Sequence, residues 1–201
     1  MRFILSLIIA FFISSTFSAV TVNEIAPNFS LQNTFGETVN LASLRGSMVV
    51  LEWTNHDCPF VAKHYKTGNM QETQKVAKEY KAIWLSIISS APKTQGYVSN
   101  EEANNLTGKR NAHPSHVLTD SGGSVGKKYG AKTTPHMFII DSSGILKYQG
   151  AIDDAGGRGF MFKDLKAAKN YIKLGLKELH ENKEISTSIS RPYGCSVKYK
   201  N

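Results

Sequence analysis

The chain has only two cysteines among its 201 residues, Cys58 and Cys195. So few exclude a small scaffold stapled by several bridges, and no Cys-x-x-Cys pair is present. One intramolecular bond is the most they can make. Long apolar runs are equally scarce: after the run Phe3 to Ile13, no stretch is long and apolar enough to span a bilayer. Acidic residues are outnumbered, 16 against 24 basic ones, which leaves a net charge of +8. The lysines are scattered, and no basic run is interleaved with aromatics. The charge therefore describes a solvated basic surface suited to acidic partners, and nucleic acid is not an expected ligand. There is no internal repeat and no low-complexity segment. What remains is ordinary for a globular protein, 41% hydrophobic and 20% charged, and is enough for one domain with a sizeable core.

The single apolar run has a role of its own. Arg2 gives a positive start, Phe3 to Ile13 an apolar centre, and Ser14 to Ala19 a small and polar end. That order is that of a secretory signal peptide. The expected division is a signal peptide over 1–19 and one domain over 20–201. Cleavage after Ala19 or after Ser18 are both open, and an uncleaved anchor is the alternative. Once cleaved, the protein would have no membrane anchor and would be periplasmic or secreted, where a disulfide can persist.

The chain is organised around Val49 to Tyr65. Met48 to Thr54 is an apolar, β-rich strand broken by one acid, Glu52. A polar turn follows, and Cys58-Pro59 opens a helix. Proline suits the first helical position, since its missing N–H would have no intrahelical partner there. Cys58 then stands at the helix N-terminus, where free N–H groups and the macrodipole favour a negative charge, here a thiolate. A buried structural cysteine is the other reading. Glu52 is expected to be buried, or else to pair with a lysine at the strand end.

Elsewhere, period and punctuation mark alternating elements. Val20 to Gln32 is an extended lead-in, and Leu41 to Arg45 a helical turn. The helix after Pro59 breaks near Thr67-Gly68-Asn69 and resumes from Met70 to Lys81. Ala82 to Ser89 is a second core strand. Ser99 starts an inserted helix with acids in its first turn. Val117 to Asp120 is a strand, and Gly122 to Tyr129 a short helix closed by Gly130. Met137 to Asp141 and Ile145 to Ile152 form a hairpin around Ser142-Ser143-Gly144. Asp164 to Asn182 reads as an amphipathic helix with Leu165, Ala168, Ile172, Leu176 and Leu179 on one face. The tail from Ile185, which carries Arg191-Pro192-Tyr193-Gly194-Cys195, shows no periodicity. The alternation predicts one α/β domain with a central mixed sheet.

Strand, turn, Cys-Pro, helix resembles the active-site segment of the thioredoxin superfamily. Asn23 to Leu31, Gly36 and Leu41 to Gly46 resemble the lead-in of its peroxiredoxin-like redoxin (AhpC/TSA-like) branch, and Thr133 to Asp141 its cis-proline strand. The resemblance implies a thioredoxin-like fold: a central mixed sheet flanked by helices, with a redoxin N-terminal extension and an inserted helix. It implies a redox-active Cys58, a Glu52 that relays protons, and a Thr134-Pro135 loop that binds an extended substrate beside Cys58 and Pro59. The Gly194-Cys195-Ser196-Val197-Lys198 tail resembles the Gly-Cys-polar-aliphatic-Lys ending of that branch, which implies Cys195 as the resolving partner if the tail reaches the site. Two departures matter. Val61 stands where thioredoxins have their second cysteine. Leu51 and Asn55 stand where peroxiredoxins hold peroxide with proline and threonine.

The leading expectation is an exported thiol–disulfide oxidoreductase, with peroxide reduction as its close variant. Its substrate would be a protein disulfide or a peroxide, and its electron donor a thiol of unknown identity. No cofactor and no metal are expected. A non-catalytic binding module stapled by a Cys58–Cys195 bridge is the second reading. A copper carrier using His56, Cys58, His64 and His136 is the third. Outside that reading, His56 is expected to favour the Cys58 thiolate, and His64 to lie on the helix surface.

Overall fold

The computed structural model describes residues 20–156 and 164–200. The expected signal peptide lies outside them. Nine strands and five helices follow in chain order within the described residues. They are β1 (Ser30–Asn33), β2 (Thr38–Asn40), β3 (Val49–Trp53), α1 (Pro59–Lys66), α2 (Asn69–Glu79), β4 (Ile83–Ile88), α3 (Asn100–Lys109), β5 (His116–Thr119), α4 (Ser124–Tyr129), β6 (Thr133–Thr134), β7 (His136–Ile140), β8 (Leu146–Gly150), α5 (Tyr171–His180) and β9 (Cys195–Ser196). A 3-10 turn covers Leu41–Leu44, capped by the Asn40 side chain. Seven strands form one sheet in the order β2-β1-β5-β4-β3-β7-β8. β3, β4 and β5 run parallel, while β1, β7 and β8 are antiparallel to their neighbours. This is the mixed α/β sheet that the alternation of elements predicts.

β3 lies inside the sheet and is buried along its whole length. Its side chains alternate between two cores, as strand geometry requires. Val49, Leu51 and Trp53 enter one core, with Phe29, Leu41, Tyr129 and Phe138. Val50 enters the other, where Cys58, Val61, Tyr65, Met70, Trp84, Ile172 and Leu176 bring in α1, α2 and α5. On the first face, Trp53 stacks near Tyr129 and Phe138, with centroids 5.5 and 5.1 Å away. Its Nε1 donates to Ser89 (3.0 Å), and Ser89 donates to Asp120 (2.7 Å). Asp120 in turn accepts the N–H groups of Val125 and Gly126 at the start of α4. Strand and helix are thereby tied by a satisfied buried chain of hydrogen bonds.

Most element boundaries fall where periodicity and punctuation put them. Ser99 caps α3 through the Glu102 N–H, and Gly130 closes α4 with φ +63°. Two differ. The helix expected over Asp164 to Asn182 is shorter and covers Tyr171–His180. The preceding residues instead exchange hydrogen bonds with Asp154, and Asp164 caps its own turn at Lys166. Asn170 then accepts from the N–H groups of Ile172 and Lys173, so the helix begins there. Ile172 and Leu176 are fully buried, whereas Leu165 and Ala168 stand outside the helix. The second difference is the tail, whose Cys195–Ser196 forms β9 on β6.

Candidate active site

β3 delivers the chain to a braced turn. Asn55, nearly fully buried, accepts the Asp57 N–H through Oδ1 (2.9 Å), and its carbonyl accepts the Cys58 N–H (3.1 Å). Gly96, at φ +82°, packs against the Asn55 carboxamide so tightly that no Cβ would fit there. Its N–H donates to Asp57 Oδ2 at 3.2 Å. Pro59 opens α1 at its first position and is exposed, and Cys58 is the residue that caps the helix.

Cys58 is 0% exposed. In its thiol form it donates to the Thr134 carbonyl at 3.0 Å, beside the cis Thr134–Pro135 bond. Thr134 is paired in register with Cys195 across β6 and β9. The tail passes so close to the Thr134 carbonyl that Gly194, at φ +143°, leaves no room for a Cβ. Cys58, Thr134, Pro135 and Cys195 are thus brought to one point, with the loop expected to receive substrate occupied by the protein's own tail. Both cysteines are free thiols, Cys58 buried and Cys195 partly exposed.

The two sulfurs differ electrostatically. Burial pushes the Cys58 pKa up. Hydrogen bonds from the side chains of Thr134 and Cys195, and from the N–H groups of Val61 and Cys195, outweigh that and hold it below the ordinary cysteine value. Cys195 moves the opposite way. Burial, its hydrogen bond to Cys58 and the Cys58 charge push it up to about 11. Because the charged form of a thiol grows with pH, Cys58 ionises first and Cys195 last. The reduced dithiol is therefore expected to show two separate steps in its ultraviolet thiolate absorbance, one below the ordinary value and one well above it. Cys195→Ser should remove the upper step and leave the lower one below the ordinary value, since a serine hydroxyl still donates to the Cys58 sulfur. A single step at the ordinary value would contradict this asymmetry.

Glu52 is 0% exposed and belongs to the Cys58 side of the sheet. Its carboxyl accepts from the Tyr65 hydroxyl (3.1 and 3.2 Å), Trp84 Nε1 (2.9 Å) and Ser86 Oγ (2.8 Å). The pairing to a surface lysine is thereby replaced by a buried network, and these bonds include neither cysteine. Leu51 is core and Asn55 braces the turn, so neither offers peroxiredoxin-like peroxide contacts.

The histidines need correction. His56 turns to Asp57 (3.1 Å) and is not among the groups acting on Cys58. His64 is not a surface residue: it is 1% exposed, its Nε2 is 3.0 Å from the Tyr193 hydroxyl and its Nδ1 is 2.9 Å from Asn69 Nδ2. Burial, against the pull of Asp153, lowers its pKa. His136 accepts the Lys132 N–H (3.2 Å) and stacks on Phe138. The ligands of the copper reading are thus dispersed among other partners. Among the described residues, no group of three His, Cys, Asp or Glu side chains could hold a metal ion. Sequence reasoning missed His64, Asn69, Asp153 and Tyr193 as a cluster. The one signal was the position of Tyr193, two residues before Cys195.

The model of the AhpC/TSA family matches residues 22–149. The chain belongs to the AhpC/TSA family. This places it in the redoxin branch of the thioredoxin superfamily, as the lead-in and Cys-Pro motifs imply. The family match contains Cys58 and Pro135 and ends before Asp153, Tyr193 and Cys195. Among solved structures, a hypothetical protein of Sinorhizobium meliloti is 21% identical with a TM-score of 0.76, covering 91% of this chain and 97% of its own. An uncharacterized conserved protein of Geobacillus kaustophilus is 23% identical with a TM-score of 0.75, covering 92% and 94%. The pneumococcal exposed lipoprotein thioredoxin of Streptococcus pneumoniae is 22% identical with a TM-score of 0.51, covering 76% and 99%. At these identities the likeness is one of fold. No curated protein sequence matches the chain.

Proposed function

We propose that this AhpC/TSA-family protein is an exported thiol–disulfide oxidoreductase whose redox pair is Cys58 and Cys195. One observation carries the reading: the Cys58 sulfur, at a helix start, lies on the Thr134 carbonyl beside the cis-proline bond, on the strand that pairs in register with Cys195. The Cys58 thiolate attacks a disulfide RS–SR′, a Cys58–SR bond forms, and R′S⁻ leaves. Cys195 then gives up its proton and attacks the Cys58 sulfur, closing the Cys58–Cys195 bond and expelling RS⁻. The substrate gains two electrons, the protein loses two, and a thiol donor reverses the change. Burial holds Cys195 protonated, and the hydrogen bond to Cys58 and the Cys58 charge add to it. Once Cys58 is in a mixed disulfide, its charge is gone and Cys195 ionises more readily than in the dithiol, with burial alone still opposing it. Glu52, buried under α1, is the proton store of this scheme, and Thr134, Pro135 and Pro59 form the substrate contact.

Peroxide reduction is the second reading, favoured by the complete burial of Cys58, which a small oxidant passes more easily than a protein strand does. There the thiolate takes an oxygen atom to give sulfenic acid, one water leaves, and Cys195 closes the bond as a second water departs. The test compares turnover of a protein disulfide with sulfenic-acid trapping in Cys195→Ser after peroxide. Disulfide turnover with little trapping is expected. Trapping without disulfide turnover assigns the peroxidase role, and neither result sinks both.

Export rests on the charge and hydropathy order of the first 19 residues. No described helix is long and apolar enough to cross a membrane.

A further inference from the structure

The tail that brings Cys195 to Cys58 is fastened by a hydroxyl group. Tyr193 packs its ring near Phe60 and His64, with centroids 6.1 and 6.0 Å away. Its hydroxyl donates to Asp153 Oδ1 and lies 3.0 Å from His64 Nε2. A hydroxyl has one proton, so the bond to His64 must run from Nε2–H to the tyrosine oxygen. His64 Nδ1 is then the acceptor for Asn69 Nδ2 at 2.9 Å, and the other Asn69 hydrogen reaches Asp153 Oδ2 at 3.0 Å. Every proton in the ring of four side chains has a place. His64 and Asp153 are each 1% exposed. The cluster joins α1, the start of α2, the segment after β8 and the tail, and none of its bonds goes to a sulfur.

Beyond Cys195 the tail is held differently. Val197 donates its N–H to the Lys132 carbonyl (3.1 Å), the Ala91 N–H reaches the Lys198 carbonyl (2.8 Å), and Tyr199 Oη donates to Ala131 (2.8 Å). β9 itself is two residues long. So short a ladder resists opening weakly, because few bonds must break together. Upstream, Ser188 and Ser190 pair with Gln149 and the Ser190 hydroxyl accepts the Ala151 N–H, so Tyr193 is the side-chain anchor nearest Cys195 on that side of the short ladder.

We propose that Tyr193 is a positioning residue, a latch that keeps the tail on the cis-proline strand, and that an extended segment of a protein disulfide substrate reaches Cys58 by displacing this tail. The identity of the displacing strand rests on the exchange reading; the latch does not. While latched, Cys195 faces Cys58 and the edge of β6 is filled. Once released, the same edge accepts another strand by the same backbone bonds.

The test uses full-length reduced protein in a Cys195→Ser background, where Cys58 is the sole thiol, and follows its alkylation by iodoacetamide. Tyr193→Phe keeps the ring and removes the hydroxyl, leaving His64 and Asp153 short of a partner in the latched form. The rate should rise about tenfold or more, with faster amide exchange confined to residues 190–200. Asp153→Asn, which alters the tyrosine's acceptor and leaves the tail sequence intact, should act in the same direction. An unchanged rate in both variants overturns the latch. So does amide exchange that rises equally across β3, β4 and β7, because Tyr193 would then be a general core residue. Loss of the latch effect with a Cys58–Cys195 disulfide still forming leaves the exchange reading in place. A working latch in a protein that never forms that disulfide removes the exchange reading alone.

Discussion

Cys58→Ser is expected to lower disulfide-exchange turnover by roughly a thousandfold or more, to the background of the thiol donor alone. The size follows from what the substitution removes. The substrate meets a nucleophile whose charge is favoured, against burial, by the Thr134 side chain, the Cys195 thiol and the N–H groups of Val61, in the first turn of α1, and Cys195. A serine hydroxyl in the same place stays protonated and forms no disulfide. Cys195 alone cannot take over: burial still raises its pKa without the Cys58 charge, it lies on β9 rather than at a helix start, and no second thiol remains to resolve a mixed disulfide. Cys195→Ser has a different signature: the first attack survives and the resolving step does not, so a Cys58–substrate mixed disulfide accumulates. Steady-state turnover and non-reducing mass spectrometry separate the two variants. Equal residual activity in Cys58→Ser and wild type would remove Cys58 from the chemistry.

Glu52→Ala should destabilise the fold by about 3–5 kcal/mol, measured by denaturant unfolding. Three buried donors, on Tyr65, Trp84 and Ser86, end on this one carboxyl. Each orphaned donor costs about 1–3 kcal/mol, relieved in part by rearrangement, and the lost side chain adds a small cavity. Glu52→Gln keeps one acceptor oxygen but points an N–H₂ at groups that are themselves donors, so a loss of about 1–3 kcal/mol is expected. The same variant separates structure from chemistry. If Glu52 also stores protons, Glu52→Gln slows exchange and alters its pH profile under conditions where the protein stays folded. A stability loss below about 0.5 kcal/mol for Glu52→Ala would show that the network is not closed in solution.

The residues around Cys58 were readable because their signals are local. An apolar run, a polar turn and a Cys-Pro step lie within one stretch, and each constrains the backbone on its own. Val49, Leu51 and Trp53 alternate with Val50 and Glu52 as a strand buried on both faces requires. The start of α5 was less legible, because Asp154, Asp164 and Asn170 redirect the preceding backbone through side-chain bonds that leave no periodic trace. The Tyr193 cluster left only the nearness of Tyr193 to Cys195 as a trace in the sequence. His64 is a lone histidine on a helix, and its hydroxyl partner lies 129 residues further along the chain. Asp153 meets Asn69 across 84 residues. A two-residue strand such as β9 has no period to detect, so the tail's return to the site is a product of tertiary packing.

The central claim is that Cys58 and Cys195 exchange electrons with each other. It is tested most directly by equilibrating the full-length protein in thiol buffers of graded potential and mapping the bond by peptide mass spectrometry. A single Cys58–Cys195 disulfide with a potential between about −300 and −120 mV is the predicted result. Thiols that never pair, or a bond whose potential lies far below about −300 mV as in inert structural bridges, would contradict it.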